Sequence, residues 1–347
     1  MARWLTNLVL LFVACGGVSA CNDPARSEDI AAPNSVPFGP IERCINLSNG
    51  LEAPTEGDWG YSVRAQDILA ISDAGFDTVR LPVKVSGYTG PGPNYVISQN
   101  LLARLDTIIS LSLAADLNII LDVHHFDEIY TDPETEIPRL KAIWRQLSQH
   151  YAGAPAAVIF EVLNEPRDGL TIQRMDALNR EILALIRETN PERWVILSSS
   201  EWGNLSAWVE ADFPREQYVI STFHFYEPYS FTHQGANWLE APPIYEGVWG
   251  DTATEIADVR GAFATARLRA ESEGIPVLVG EFGAHRSNTM AERVDWLRTV
   301  RTASEDAGFG WCHWGFAAEF GAYDLLEEAW RSEVLMALGV SPKLGDP

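Results

Sequence analysis

Val158-Ile159-Phe160-Glu161-Val162-Leu163-Asn164-Glu165-Pro166 is an almost wholly apolar run that ends in polar residues and a proline. A run of this length and kind predicts a strand over 157–163, covered on both faces as in a parallel sheet. Working outward, similar runs predict strands at 43–47, 78–82, 119–123, 194–198, 218–223, 277–280 and 310–314. Between them, apolar residues recur at helical spacing over 62–74, 101–115, 137–151, 172–189, 256–273 and 290–307, with a last helix expected over 325–338. Strand and helix alternate through the whole of this region. That order favours an α/β fold closed as a (β/α)8 TIM barrel over an open sheet.

In such a barrel the chemistry sits at the carboxyl ends of the strands. Arg80, His124, Asn164, Glu165, His224, Glu281 and Trp314 all fall at or just after the end of a predicted strand. A single polar residue there has a bland explanation, as a helix-start carboxylate or a solvated strand end. Polar groups on so many separate strands point to one shared site. Glu165 and Glu281 end the fourth and seventh predicted strands, which face each other across a closed ring of eight. Two carboxyl groups flanking a bond are what glycoside hydrolysis needs.

The bulk numbers bound the rest. The chain has 347 residues and a hydrophobic fraction of 46%, enough for one large core. A net charge of −23 disfavours nucleic acid and anionic lipid surfaces as partners and says little about a neutral polysaccharide. The start of the chain reads as a processing signal. Arg3 precedes an apolar stretch over 5–13 that is too short to span a bilayer, and Val18-Ser19-Ala20-Cys21 follows. Small residues before a cysteine resemble a bacterial lipobox, which implies cleavage before Cys21 and lipid on its sulfur. A simple secretory signal cut after Ala20 is the alternative. Residues 1–20 are thus expected to be a signal peptide, 21–39 a Pro- and Ser-containing tether, and 40–347 one catalytic barrel. The mature protein is expected to be exported, in the bacterial cell envelope as a lipoprotein or secreted, and to touch membrane only through the anchor. Cys44 and Cys312 remain after processing; a disulfide between the first and eighth strands and a pair of buried thiols both stay open. No clustered Cys/His set suggests structural zinc.

Seven short motifs in order resemble glycoside hydrolase family 5. They are Cys44-Ile45-Asn46-Leu47-Ser48-Asn49-Gly50-Leu51-Glu52, Val79-Arg80-Leu81-Pro82, Asp122-Val123-His124-His125, Asn164-Glu165-Pro166, His224-Phe225-Tyr226, Gly280-Glu281-Phe282-Gly283 and Trp311-Cys312-His313-Trp314. The first departs from the common pattern at Cys44 and Ser48, where glycine is frequent. The resemblance implies a retaining hydrolase without cofactor or metal, in which Glu281 is the nucleophile and Glu165 the acid/base. It implies that Arg80 and Tyr226 contact the nucleophile and that Asn164 binds the sugar 2-hydroxyl. His124 and His224 would orient the sugar and the carboxylates, and Trp314 would stack under the ring. His125 is expected at the edge of the substrate site. Of the other aromatics after strands (Trp59, Tyr88, Trp202, Trp238 and Trp249), Trp202 and Trp238 are expected to line outer subsites. The segments 49–54 and 231–238 favour β-1,4-glucan over mannan. The expected partner is a β-glucan chain, cut internally by a monomeric enzyme, with water or a second sugar as acceptor. A mannanase, xyloglucanase or mixed-linkage glucanase of the same mechanism stays open, as does a lipoprotein that binds glycans without turnover.

Overall fold

The structure, a computed structural model, describes residues 39–250 and 252–341. The signal peptide, Cys21 and nearly all of the tether lie outside the described residues. Eight strands close into a barrel in sequence order: β1 (Arg43–Asn46), β2 (Thr78–Val83), β3 (Asn118–Val123), β4 (Val158–Glu161), β5 (Val195–Ser198), β6 (Val219–His224), β7 (Val277–Phe282) and β8 (Gly310–His313). Every neighbouring pair is parallel, and β1 pairs with β8 to close the ring.

Because side chains alternate along a strand, each strand serves two cores. Val79, Leu81, Ile119, Leu121, Phe160, Val195 and Val279 join the large cluster shared with the surrounding helices. Ile41, Cys44, Ile120, Ile159, Ile196, Ile220, Leu278 and Cys312 form a separate cluster that fills the lumen. The helices Ala65–Ala74, Gln99–Ala114, Pro133–His150, Ile172–Arg187, Ala253–Glu273 and Met290–Ala307 lie close to their predicted bounds. Three of them end on a left-handed glycine or begin with a capping box, which fixes those bounds locally.

Two expectations need correction. The last helix is only Ser332–Ala337, preceded by a two-stranded hairpin of Tyr323–Asp324 and Ala329–Trp330. Asp324 Oδ1 accepts from the backbone N–H of Leu326 and Glu327, which makes a turn where apolar spacing suggested helix. The second correction concerns the cysteines. Cys44 and Cys312 are bonded to each other, with Cα atoms 4.1 Å apart. They stand directly opposite in the β1–β8 register, so the depth stagger that argued against a bond is absent at this pair.

β7 carries an irregularity that matters for the site. Val279 pairs with Trp311 and Phe282 with His313, so three steps on β7 oppose two on β8. Against β6, Phe223 pairs with Val279 and His224 with Glu281. The extra residue is Gly280, and this bulge turns Glu281 into the ring, as bulges beside active sites do. A Cβ at Gly280 would lie 2.6 Å from Thr222 Oγ1 and 3.0 Å from His224 Nε2, so only glycine fits.

Candidate active site

A cleft of about 530 Å³ opens at the carboxyl ends of the strands, and Glu165 and Glu281 both line it. Trp314, His124, His125, Tyr226 and Trp238 line it with them. A second recess beyond Glu165 is bordered by Trp202, Tyr229, His224 and Trp238. The site residues named from the sequence therefore converge, apart from Cys21, which lies outside the described residues. Trp59 belongs to the cleft as well, whereas Trp249 is buried and packs on Phe231.

The centre of the site is one guanidinium. Arg80 is fully buried and all its nitrogens are engaged. Nε and Nη2 donate to the two oxygens of Glu161 at 2.7 and 2.8 Å. Nη1 donates to Glu281 Oε1 at 2.8 Å and to Asn46 Oδ1 at 2.9 Å. Nη2 also reaches Asn164 Oδ1 at 2.8 Å and lies 3.0 Å from Asp122 Oδ2. The planar fork of arginine suits this many fixed acceptors, and a lysine ammonium would not. With its oxygen bound to Arg80, Asn164 keeps its amide N–H groups for a ligand, and Tyr130 donates to its backbone carbonyl at 2.8 Å.

Glu281 has a second fixed donor, the Tyr226 hydroxyl, at 3.0 Å from Oε2. Burial beside Glu281 and Glu165 pushes the Tyr226 phenol well above its ordinary range, so it stays a neutral donor. His224 Nδ1 lies 3.0 Å from Glu165 Oε1 and 3.5 Å from Glu281 Oε2. It bridges the two carboxyl groups as expected. His124 does not. Its Nδ1 is 2.5 Å from Asp122, and its ring lies parallel to that of Trp314, with centroids 5.7 Å apart at 8°. Its bearing on the carboxylates is thus indirect, through Asp122 and Arg80. Burial and the adjacent His125 push its imidazole well down, so it is neutral.

Glu165, His224 and Glu281 each offer an atom within 4.8 Å of the others, compact enough for a cation. His224 Nδ1, however, is already engaged with Glu165. Burial raises Glu281, Arg80 and His224 oppose it, and the net direction is upward. Burial also acts upward on Glu165, but the hydrogen bond and charge of His224 outweigh it and bring it down. His224 is itself raised: burial is outweighed by Glu281 and Glu165. These groups titrate as a set that shares a proton, so the directions belong to the set. Taken singly, they would make Glu281 the proton carrier. The direction we stand behind is the reverse, because Arg80 and Tyr226 are locked onto Glu281, whereas Glu165 has only an imidazole that can surrender its proton to it.

Glu165 and His125 hold left-handed backbone, with φ of 43° and 48°. Non-glycine residues in this region gather at functional sites, where the surrounding structure holds them. Asn46, Glu52, Asp122 and Glu161 take part in the buried network or the cleft and were not singled out from the sequence. All but Glu161 stood inside motifs quoted there. Glu161 carried a signal too, as a carboxylate within an apolar strand.

The family model for Cellulase (glycosyl hydrolase family 5) matches residues 44–319. Endoglucanase H of Acetivibrio thermocellus is 32% identical over 85% of the chain, and that match covers 32% of the relative. Against Endoglucanase 3 of Fibrobacter succinogenes the covered share is 53%, so the chain spans about a third to a half of these curated relatives. A solved hyperthermophilic endo-β-1,4-glucanase in complex with substrate is 36% identical, with a TM-score of 0.84, covering 86% of this chain and 97% of that one. Cel5A of Thermotoga maritima, solved with mannotriose, is 33% identical with a TM-score of 0.83, over 86% and 97% of the two chains. Barrel, cleft and these matches together establish that the chain belongs to glycosyl hydrolase family 5.

Proposed function

We propose that the protein is a retaining endo-β-1,4-glucanase that cuts soluble β-glucan chains by double displacement. The observation that carries this reading is the approach of Glu165 and Glu281, an oxygen of each lying within 4.8 Å. Retaining enzymes hold their carboxyl groups about 5–5.5 Å apart, and inverting enzymes need roughly 6.5–9.5 Å to admit a water. Glu281 attacks the anomeric carbon, kept ionised and aimed by Arg80 and Tyr226. Glu165 protonates the leaving oxygen and then takes the proton of the incoming water or sugar hydroxyl. Asn164 donates to the 2-hydroxyl, a contact that strengthens as the ring flattens. Trp314 carries the sugar on its face. The recess with Trp202 lies beyond Glu165, on the side from which the leaving chain departs.

Open, tryptophan-lined walls suit one flexible chain. The endoglucanase relatives support glucan as substrate. The mannotriose complex of the Thermotoga maritima protein favours a second reading, in which mannan is also cut. The disulfide supports export, since such bonds persist in oxidising compartments. We place the mature protein in the cell envelope through Cys21 or free outside the cell. Viscosity loss of carboxymethyl-cellulose, glucomannan and pure mannan at equal enzyme, with the anomer followed by NMR, tests the reading. A β-product and fastest attack on carboxymethyl-cellulose are expected. An initial α-product overturns the mechanism, and faster attack on pure mannan overturns the substrate.

A further inference from the structure

We propose that Glu52 is a further substrate-binding residue, a neutral carboxylic acid that donates a hydrogen bond to a sugar hydroxyl on the wall of the cleft near Trp59 and His125. The inference rests on the glycosidase reading and deepens it. Glu52 follows β1 in a loop and lines the same cleft as Glu281, yet is only 1% exposed. One carboxyl oxygen, Oε1, accepts from the Asn49 backbone N–H. The other, Oε2, is buried without a partner. A buried polar atom left unpaired costs about 1–3 kcal/mol. On the wall of a binding cleft, a ligand is the group that relieves that cost.

The chemistry of the ligand follows from the surroundings. From β7, Glu281 faces Glu52, and from β3, Asp122 does so. His125 Nδ1 is bound to the Glu52 carbonyl, and His124 stacks against His125. Arg80 on β2, the nearby cation, is spent on Glu161, Asn46, Asn164 and Glu281. A second negative charge is therefore unfavourable here. Burial, opposed by backbone N–H groups and aided by Glu281, raises Glu52 to about 8. The acid form has an O–H to give, and a sugar hydroxyl accepts it. A carboxylate or phosphate ligand would meet a cleft already rich in negative charge. Trp314 and Glu281 line the first cleft but not the recess with Trp202, so Glu52 lies on the side of the sugar that becomes bound to the enzyme.

Sign and size follow. Below the raised pKa Glu52 holds its proton and binds; above it the donor is lost. KM for a cello-oligosaccharide should therefore rise above about pH 8, by up to about tenfold per pH unit. The test compares wild type, Glu52→Gln and Glu52→Ala with cellotetraose from pH 5 to 9, with unfolding temperature measured in parallel. Glutamine keeps the shape, the acceptor for Asn49 and a donor without a titrating proton. Its KM should stay within about threefold of wild type at pH 6 and stay flat to pH 9. Alanine should raise KM roughly tenfold or more at every pH, with a smaller change in kcat. An alkaline rise in KM that persists in Glu52→Gln overturns the proposal. So does a Glu52→Ala enzyme with wild-type KM and only a lower unfolding temperature, because that is a loop-holding role. Loss of turnover in the wild type itself would instead sink the glycosidase reading.

Discussion

Replacing Arg80 by methionine removes the one cation among Asp122, Glu161 and Glu281 while keeping most of the side-chain volume. All four side chains are 5% exposed or less, so water cannot take the place of the guanidinium. Breaking a buried ion pair from one side costs about 3–5 kcal/mol. For a barrel of this size that corresponds to a fall of roughly 6–10 °C in unfolding temperature. The pH dependence distinguishes this from a plain packing defect. Burial raises Glu281 and Arg80 opposes it. Without Arg80 the folded state holds a proton that the unfolded chain releases above about pH 4.3. Stability then falls as pH rises through that window, so the deficit against wild type should be larger at pH 8 than at pH 5. Turnover of an aryl cellobioside should drop by about 10²–10³-fold, the loss seen for a preorganised donor at a reacting group. Arg80→Lys restores a charge but not the fork, and should recover part of the stability and little of the rate. Differential scanning calorimetry at the two pH values and steady-state kinetics read both arms. An equal deficit at pH 5 and pH 8, with kcat within about threefold of wild type, would refute the reasoning.

The catalytic roles separate by chemical rescue: Glu281→Ala should lose nearly all turnover and regain it with azide as an α-glycosyl azide, while Glu165→Ala should spare substrates with good leaving groups and yield the β-azide. The opposite pairing would mean that the two roles are exchanged. For the disulfide, thiol titration of the unfolded mature barrel should find Cys44 and Cys312 unreactive until a reductant is added, and Cys44→Ser should lower stability by about 2–4 kcal/mol. Two free thiols without reductant would contradict the bond and remove its support for export.

The barrel was legible because its strands are buried on both faces and its site residues follow their ends. The run at 119–123 differs from β3 by a single residue, and the helix over 290–307 has the observed bounds. What escaped was non-local. Glu161 sits in an apolar run, and nothing within that run says that Arg80, 81 residues earlier, takes both its oxygens. The helix Leu205–Glu210 is too short to show a period, and its start is set by Asn204 accepting from the Ala207 N–H. The 325–338 segment has helical spacing, but Leu326 is 93% exposed and Trp330 packs against Phe76 and Tyr323 instead. His124 was given a direct hold on the carboxylates. Its partner is Asp122, two residues earlier on the same strand face, a pairing that period-two spacing permits and the motif alone does not reveal.

That period-two spacing also explains how so many charges can be buried in one place. Inside the ring, Cys44, Ile120, Ile159, Ile220 and Leu278 make an apolar floor. Two residues further along each strand stand Asn46, Asp122, Glu161, Thr222 and Gly280, and on β2 Thr78 leads to Arg80. A strand rises about 3.3 Å per residue, so this polar tier lies roughly 6–7 Å above the floor. The charged groups meet one another there rather than hydrocarbon. Only Glu281 does not obey the alternation. In an unbroken β7 its odd position would send it outward with Val277 and Val279, into the cluster packed by helices. The extra residue at Gly280 reverses its direction, and Gly280 is tolerated there because no side chain intrudes on Thr222 and His224. The proposed nucleophile therefore reaches Arg80 through a register defect, not through a special side chain. Its ionisation, its aim and its place opposite Glu165 all depend on that one residue of extra backbone.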